Sequence, residues 1–388
     1  MSNNKNFFLS PQAAAIYKHR LLKSYIPVWV GKVGSTSQGR RVVVYDAYSG
    51  PGRYDDAQPG SPEILVDTAV AMARLRSVHT VFSEKDSSYC DRLKQLLVDK
   101  QVDPSTYQVL AGPVEKHLDN ALAAAGDLPL FVFLDPYGLT VPFDQVVHIL
   151  AARDRRGSSA ALQPKTELLL NFSYEAVRRI SGVARSDKEY RVKDGQLAAL
   201  DRALGGDWWR QLALDAPDGW VGEVLLGYAR RVAEAAGYGF ITVEVADSLE
   251  AEPVYELILF TRHQDGLWEM SEAMSFARQE WRQWLVDRRE HAMGGQTELR
   301  GLDFDDNEEA WVSEIAQNIE QLLQESDTLR IQDRLGGVMG RTLGLAREKH
   351  IRAALKGLYV LGVVRDAPSG RLQRAVVRRQ EVLASHSK

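Results

Sequence analysis

Short runs rich in β-branched and aromatic residues recur along the first two-thirds of the chain, with helical spacing between them. Val42-Val43-Val44-Tyr45, Thr80-Val81-Phe82-Ser83, Tyr107-Gln108-Val109-Leu110, Leu130-Phe131-Val132-Phe133-Leu134 and Glu167-Leu168-Leu169-Leu170-Asn171-Phe172 read as buried strands. Ile64, Val66, Ala69, Met72 and Leu75 recur as one face of a helix between the first two. Two further runs, 239–245 and 254–260, follow each other directly and read as a closing hairpin. Five strands in βα alternation and two paired at the end predict an α/β fold, mostly parallel with one antiparallel strand near an edge. Trp208, Trp209 and Trp220 lie in a helical stretch, about 175–235, that reads as an insert covering one face.

An N-terminal helical segment, residues 1–40, precedes the first strand. Ser10 caps its helix, Pro11 stands in the first turn, and Pro27 is expected to end it before a loop from Gly31 to Gly39. Ile16, Tyr17, Leu21, Leu22 and Tyr25 form the packing face, while Lys18, His19, Arg20 and Lys23 fall on the others. The helix is read as packing on the sheet, with no binding role for Lys18 or His19.

The strand ends carry the candidate chemistry. The first strand delivers Asp46 to Tyr48-Ser49-Gly50-Pro51-Gly52, a turn whose glycines allow sharp bends and close approach of a ligand. It is not a dinucleotide fingerprint, because Asp55 stands where the third glycine belongs, and no Gly-Lys-Ser/Thr marks a phosphate loop. The second strand ends in Glu84, placed to accept hydrogen bonds from a ribose or to cap the helix that comes next. The third ends in Ala111-Gly112. The fourth ends in Asp135-Pro136-Tyr137-Gly138, where a carboxylate and the Pro136 carbonyl could accept hydrogen bonds from an amine and Tyr137 could stack on a base.

The strand pattern is similar to the seven-stranded Rossmann-like sheet of class I methyltransferases. Asp46-x-Tyr48-Ser49-Gly50-Pro51-Gly52-Arg53-Tyr54, Gly60-Ser61-Pro62, Phe82-x-Glu84 and Phe133-Leu134-Asp135-Pro136-Tyr137-Gly138 together resemble the three-Cys-motif partner (TcmP) family. So do Lys18-His19-x-x-Leu22-x-x-Tyr25 and the segment 261–274, and the likeness covers roughly residues 10–290. It implies S-adenosylmethionine as cofactor and a partner protein carrying the three cysteines. Asp135-Pro136-Tyr137 is also similar to the Asp/Asn-Pro-Pro-Tyr/Phe motif of methyltransferases acting on the amines of adenine, cytosine or glutamine. Two departures stand out: Tyr137 replaces the second proline, and Gly112-Pro113 replaces the usual Gly-Asp.

Charge changes the picture at the far end. The formal net charge is −4, yet residues 328–388 hold 13 Lys/Arg against 4 Asp/Glu, leaving −13 for the rest. Such asymmetry predicts that the tail meets a polyanion. Beyond a sheet domain at 41–265 and a helical linker at 266–305, residues 306–388 read as three helices and a β-hairpin, resembling a winged helix. Its hairpin is expected over 359–364 and 372–379, and its candidate DNA or RNA contacts are Arg347, Lys349, Arg352, Lys356, Arg365, Arg371, Arg374 and Arg378. Cys90 is the only cysteine, which excludes an internal disulfide or a cysteine metal cluster. The acids Asp303, Asp305 and Asp306 read as a solvated stretch and not a metal site. Neither a signal peptide nor a membrane-spanning run is evident, and a cytoplasmic protein is expected.

The function expected from these residues is methyl transfer to nucleic acid, at an exocyclic base amine. Asp135, Pro136 and Tyr137 would do the chemistry, while Asp46, Tyr48, Ser49, Gly50, Gly52, Glu84 and Gly112 would hold the cofactor. The alternative is a non-catalytic adaptor, or a DNA-binding sensor of S-adenosylmethionine, that keeps the fold.

Overall fold

The computed structural model describes residues 12–138, 141–154, 164–184, 193–215, 218–248, 251–292 and 308–380. The chain divides into two units, residues 1–262 and 263–388.

The first unit contains seven strands: β1 (Arg41–Asp46), β2 (Ser77–Glu84), β3 (Tyr107–Ala111), β4 (Leu130–Leu134), β5 (Thr166–Ser173), β6 (Gly239–Val245) and β7 (Tyr255–Thr261). They form one sheet in the order β3-β2-β1-β4-β5-β7-β6, parallel except for β7, which runs against both neighbours. That order and that reversed strand are the Rossmann-like class I methyltransferase sheet. β1 and β4 read as unbroken apolar runs because helices cover both faces.

Nine helices among the described residues accompany the sheet: α1 (Ala13–Gly34), α2 (Ser61–Met72), α3 (Ser87–Asp99), α4 (Leu118–Ala125), α5 (Phe143–Ala151), α6 (Tyr174–Ala184), α7 (Lys193–Leu204), α8 (Trp209–Asp215) and α9 (Trp220–Ala236). One core joins Val43, Tyr45, Leu130 and Val132 to α4, α5 and α9, with α7 and α8 packed beyond. On the opposite face Tyr25 and Trp29 of α1 lie tilted against Phe131. The insert thus belongs to the main core, through fully buried Trp209 and Tyr228.

Pro27 does not end α1, which continues to Gly34. It sits between exposed Lys23 and Val28, so the carbonyl that its ring frees can be hydrated while Tyr25, Ile26, Trp29 and Val30 hold the helix down. The expected Ser10 cap and Pro11 lie outside the described residues.

The second unit holds α10 (Gln264–Ala292), α11 (Glu308–Glu325), β8 (Thr328–Arg330), α12 (Leu335–Met339), α13 (Glu348–Val360) and β9 (Val376–Arg378). Its core gathers Ile315, Ile319, Leu335, Ile351, Leu355 and Leu372, with Trp268 of α10. The segment assigned by sequence to a linker therefore packs, in its helical part, on this core, and Gly344 N–H donates to Ser271 Oγ at 3.1 Å. Its remainder, with the acidic run, lies outside the described residues. The expected hairpin changes partners: Tyr359 and Val360 finish α13, β9 pairs with β8, and only a Val364–Arg379 bridge remains of the pairing foreseen. Strong helix formers upstream, Ala353-Ala354-Leu355-Lys356, carry the helix through those β-prone residues. No described helix is long and apolar enough to cross a membrane.

Candidate active site at the carboxyl edge of the sheet

Register brings the strand ends together. Asp46 lies opposite both Phe82 and Phe133, and Glu84 opposite Ala111, so Asp46, Glu84, Gly112 and Asp135 share one edge. The meeting of β1 and β4 is the topological switch point of the sheet, where open α/β folds take their ligands.

Asp46 is wholly buried, and burial pushes its carboxyl up to about 7 against the pull of the Ser61 hydroxyl. Its Oδ1 accepts from Tyr48 N–H at 3.3 Å, whereas Oδ2 is buried without a hydrogen-bond partner. An orphaned carboxylate oxygen is costly unless a cation or donor arrives to meet it. The turn beyond is tightly fixed. Ser49 Oγ donates to Asp46 O, Ser49 N–H to Ser83 O, and Gly50 N–H to Glu84 Oε2 at 2.8 Å. Glu84 Oε1 takes Asp86 N–H at 2.7 Å, and Asp86, not Glu84, caps α3. Gly52 has a reason for glycine that differs from the expected one. With φ at 84°, a Cβ there would stand 2.7 Å from Leu96 Cδ2, so its bare face serves helix packing. Gly112, at φ 131°, would push a Cβ to 3.0 Å from His117 Nε2.

Three cavities open along this edge. The largest, about 690 Å³, is lined by Tyr48, Glu84, Tyr89, Gly112, Pro113 and Glu115, with Pro136 and Tyr137 at one side. A second, about 290 Å³, lies against Lys18, Tyr54, Asp135, Asn171 and Tyr255, again with Pro136 and Tyr137. A small one between them touches Ser49, Gly52, Ser61, Lys18, His19 and Asp135. Tyr137 lines all three, and is 47% exposed. The predicted residues Asp46, Tyr48, Ser49, Gly50, Gly52, Glu84, Gly112, Asp135, Pro136 and Tyr137 are thus assembled at one place.

Sequence reasoning missed what holds Asp135. Lys18, buried on α1, forms an ion pair with Asp135 Oδ2, and Asn171 Nδ2 donates to Oδ1 at 2.5 Å. Lys18 Nζ also stands 5.7 Å above the Tyr255 ring. His19 is equally buried, edge-on to Tyr54, and burial together with the Lys18 charge holds its imidazole well below the ordinary value. The reading of Lys18 and His19 as residues of a packing helix alone is therefore incomplete. Only the family resemblance, through Lys18-His19-x-x-Leu22-x-x-Tyr25, pointed to them.

The cations of the second unit divide. Arg347 stacks on Phe276, Lys349 is held by Glu308, Arg352 by Glu348 and the Gly370 carbonyl, and Arg378 by Asp366. Lys356, Arg365, Arg371 and Arg374 are exposed with no ion-pair partner among the described residues. No described cluster of His, Cys, Asp and Glu could hold a metal ion.

No family model matches the chain. A serine–tRNA ligase of Xanthobacter autotrophicus is 32% identical over 130 residues, 32% of this chain, and the match spans only a quarter of that protein's length. Among solved structures, the methyltransferase domain of bacterial CtHen1-CN aligns with 63% of this chain and 99% of its own at 11% identity and a TM-score of 0.33. The magnesium protoporphyrin IX methyltransferase of Synechocystis PCC 6803, crystallised with SAH, aligns with 63% and 84% at 12% identity and 0.31. At such scores the likeness carries no weight of its own; the class of fold rests on strand order and the reversed β7.

Proposed function

We propose that this protein is an S-adenosylmethionine-dependent methyltransferase acting on an exocyclic amine of nucleic acid. The observation that carries the reading is the pair of cavities meeting at Pro136 and Tyr137. One is of cofactor size, at the switch point of a methyltransferase sheet, and the other is aromatic-walled with the Asp135 carboxylate in its lining. The residues present suit the cofactor. Asp46 Oδ2 lacks a partner and would take the ammonium of the methionine end, through the small cavity beside Ser49 and Ser61. Glu84 keeps spare lone pairs for the ribose hydroxyls, and Glu115 lines the cavity near Pro113, where an acid for the adenine would otherwise stand.

The cofactor supplies a methyl group on a sulfonium, already a good leaving group, so the protein's task is orientation. Asp135 and the Pro136 carbonyl would accept hydrogen bonds from the target amine, turning its lone pair toward the methyl carbon. Tyr137 and Tyr54 would hold a flipped base flat. Lys18 and Asn171 keep the Asp135 carboxylate fixed at the wall of the cavity. Lys356, Arg365, Arg371 and Arg374 on a winged-helix-like second unit would neutralise phosphates, and a three-Cys-motif protein in the cytoplasm is the partner suggested by family resemblance. A second reading, an adaptor that keeps the fold without catalysis, draws its support from Pro113 and from Tyr137 in the place of the second proline.

Labelled methyl donor, incubated with DNA and RNA with and without the partner, tests this. Transfer by wild type that disappears in Asp135→Ala, with cofactor affinity kept, is expected. Transfer that survives in Asp135→Ala removes the assigned chemistry.

A further inference from the structure

Asp135 is not a bare acceptor. Each of its oxygens already holds one donor, Lys18 on Oδ2 and Asn171 on Oδ1, and a carboxylate of about four lone-pair sites retains capacity for more. Lys18 brings three N–H groups, of which Asp135 takes one, and Lys18 lines the same 290 Å³ cavity. The wall beside the Asp135 carboxylate therefore offers a donor immediately next to an acceptor.

Resting on the reading of the site as a base-amine methyltransferase, we propose that Lys18 is a specificity-determining residue. It donates to the ring nitrogen adjoining the target amine, while Asp135 accepts from the amine itself. This pairing fits adenine and cytosine, whose amino group neighbours an unprotonated ring nitrogen. It disfavours guanine on the Watson–Crick edge, where N1 carries a hydrogen and would meet the ammonium donor to donor, leaving only N3, which is crowded by the sugar. Thymine and uracil are rejected because they have no amine. A glutamine side chain shows a similar donor–acceptor edge, but the cavity is walled by Tyr54, Tyr137 and Tyr255, which suit a flat ring. The ammonium is held in place from both sides, by the Asp135 pair and by the Tyr255 ring, so it is presented without a search through rotamers.

Binding of single strands by the cofactor-loaded protein, made with adenine or 1-deazaadenine, and with cytosine or 3-deazacytosine, reads the contact directly. Wild type is expected to lose about tenfold in affinity for the deaza strand, the size of one charge-assisted hydrogen bond. Lys18→Met, which keeps the stem, is expected to bind parent and deaza strands alike. Equal binding of the two strands by wild type overturns the proposal, and that comparison needs no variant to fold. Wild type that binds no strand, or that methylates a glutamine peptide instead, overturns it too. Discrimination without any methyl transfer would keep the base contact and reject the enzymatic reading, so the two failures are distinguishable.

Discussion

Lys18 of the N-terminal helix and Asp135 just beyond the end of β4, separated by 117 positions, form a partly buried ion pair in the wall of the candidate acceptor cavity. Removing one partner leaves the other desolvated. Lys18→Ala is expected to cost about 2 kcal/mol of stability in urea denaturation, whereas Lys18→Met with Asp135→Asn costs less than the sum of the two single changes. Strict additivity would mean that the pair contributes nothing.

Glu84 holds the Gly50 N–H and faces the large cavity. Glu84→Ala should weaken S-adenosylmethionine binding tenfold or more, since about 1.5–3 kcal/mol attends a charged hydrogen bond. Calorimetric titration with the cofactor and with S-adenosylhomocysteine gives the answer. Unchanged affinity would move the ribose elsewhere.

Burial raises the Asp46 carboxyl to about 7, so the ionised form that attracts an ammonium is depleted below that pH. Cofactor affinity is expected to fall by up to about tenfold per pH unit on acidification from 7 to 5.5, and Asp46→Asn should flatten the profile at a lower affinity. A wild-type profile as flat as that of the variant would separate Asp46 from the ligand.

Glu167 is buried beneath α1, accepting from Tyr25 Oη at 2.6 Å and Thr261 Oγ1 at 2.8 Å, and burial raises it to about 7. A raised folded-state carboxyl stabilises fully below the unfolded value near 4.5 and loses that contribution as pH rises through 7. Glu167→Gln should therefore gain roughly 2–3 kcal/mol over wild type at pH 8 and nothing comparable at pH 4, read from denaturation midpoints. A gain that is the same at both pH values would contradict the assignment.

Of the eight candidate contacts, Lys356, Arg365, Arg371 and Arg374 are the exposed ones without an ion-pair partner among the described residues. Replacing Arg365, Arg371 and Arg374 with alanine should lower the salt slope of nucleic-acid binding by about 0.7–0.9 for each lost contact. Replacing Lys349 and Arg352, already committed to Glu308 and Glu348, should change it little. The reverse ranking would shift the interface to the N-terminal half of α13.

Much of the sheet was legible because its inner strands are buried on both faces over most of their length, which writes continuous apolar runs into the sequence. The site acids were legible for the same reason: each closes such a run, so the position of Asp46, Glu84 and Asp135 came from the strands themselves. Lys18 and Asn171 were not legible, because their meaning lies in tertiary proximity to Asp135 and no local pattern encodes it. Pro27 misled, since its effect on a helix depends on whether the freed carbonyl faces water. The hairpin after α13 misled likewise, since Tyr359 and Val360 have β-prone side chains but come after a run of strong helix formers. For the eight candidate cations of the tail, sequence could count the charges but not see which were already neutralised.

The first helix of the chain is stitched to the closing part of the large sheet: Ala14 N–H donates to Asp247 Oδ1, just beyond β6, and Tyr255, the first residue of β7, donates to the Ala14 carbonyl, spanning 233 and 241 positions. During synthesis, residues such as Lys18 emerge long before the groups that fix them. The acceptor cavity can close only after β7 has been made, so a nascent or truncated chain carries every acid of the site and yet lacks the site. Contacts of such separation are slow to form, and the competence of this protein is set late, by the arrival of Tyr255 against a helix that has been waiting since the start.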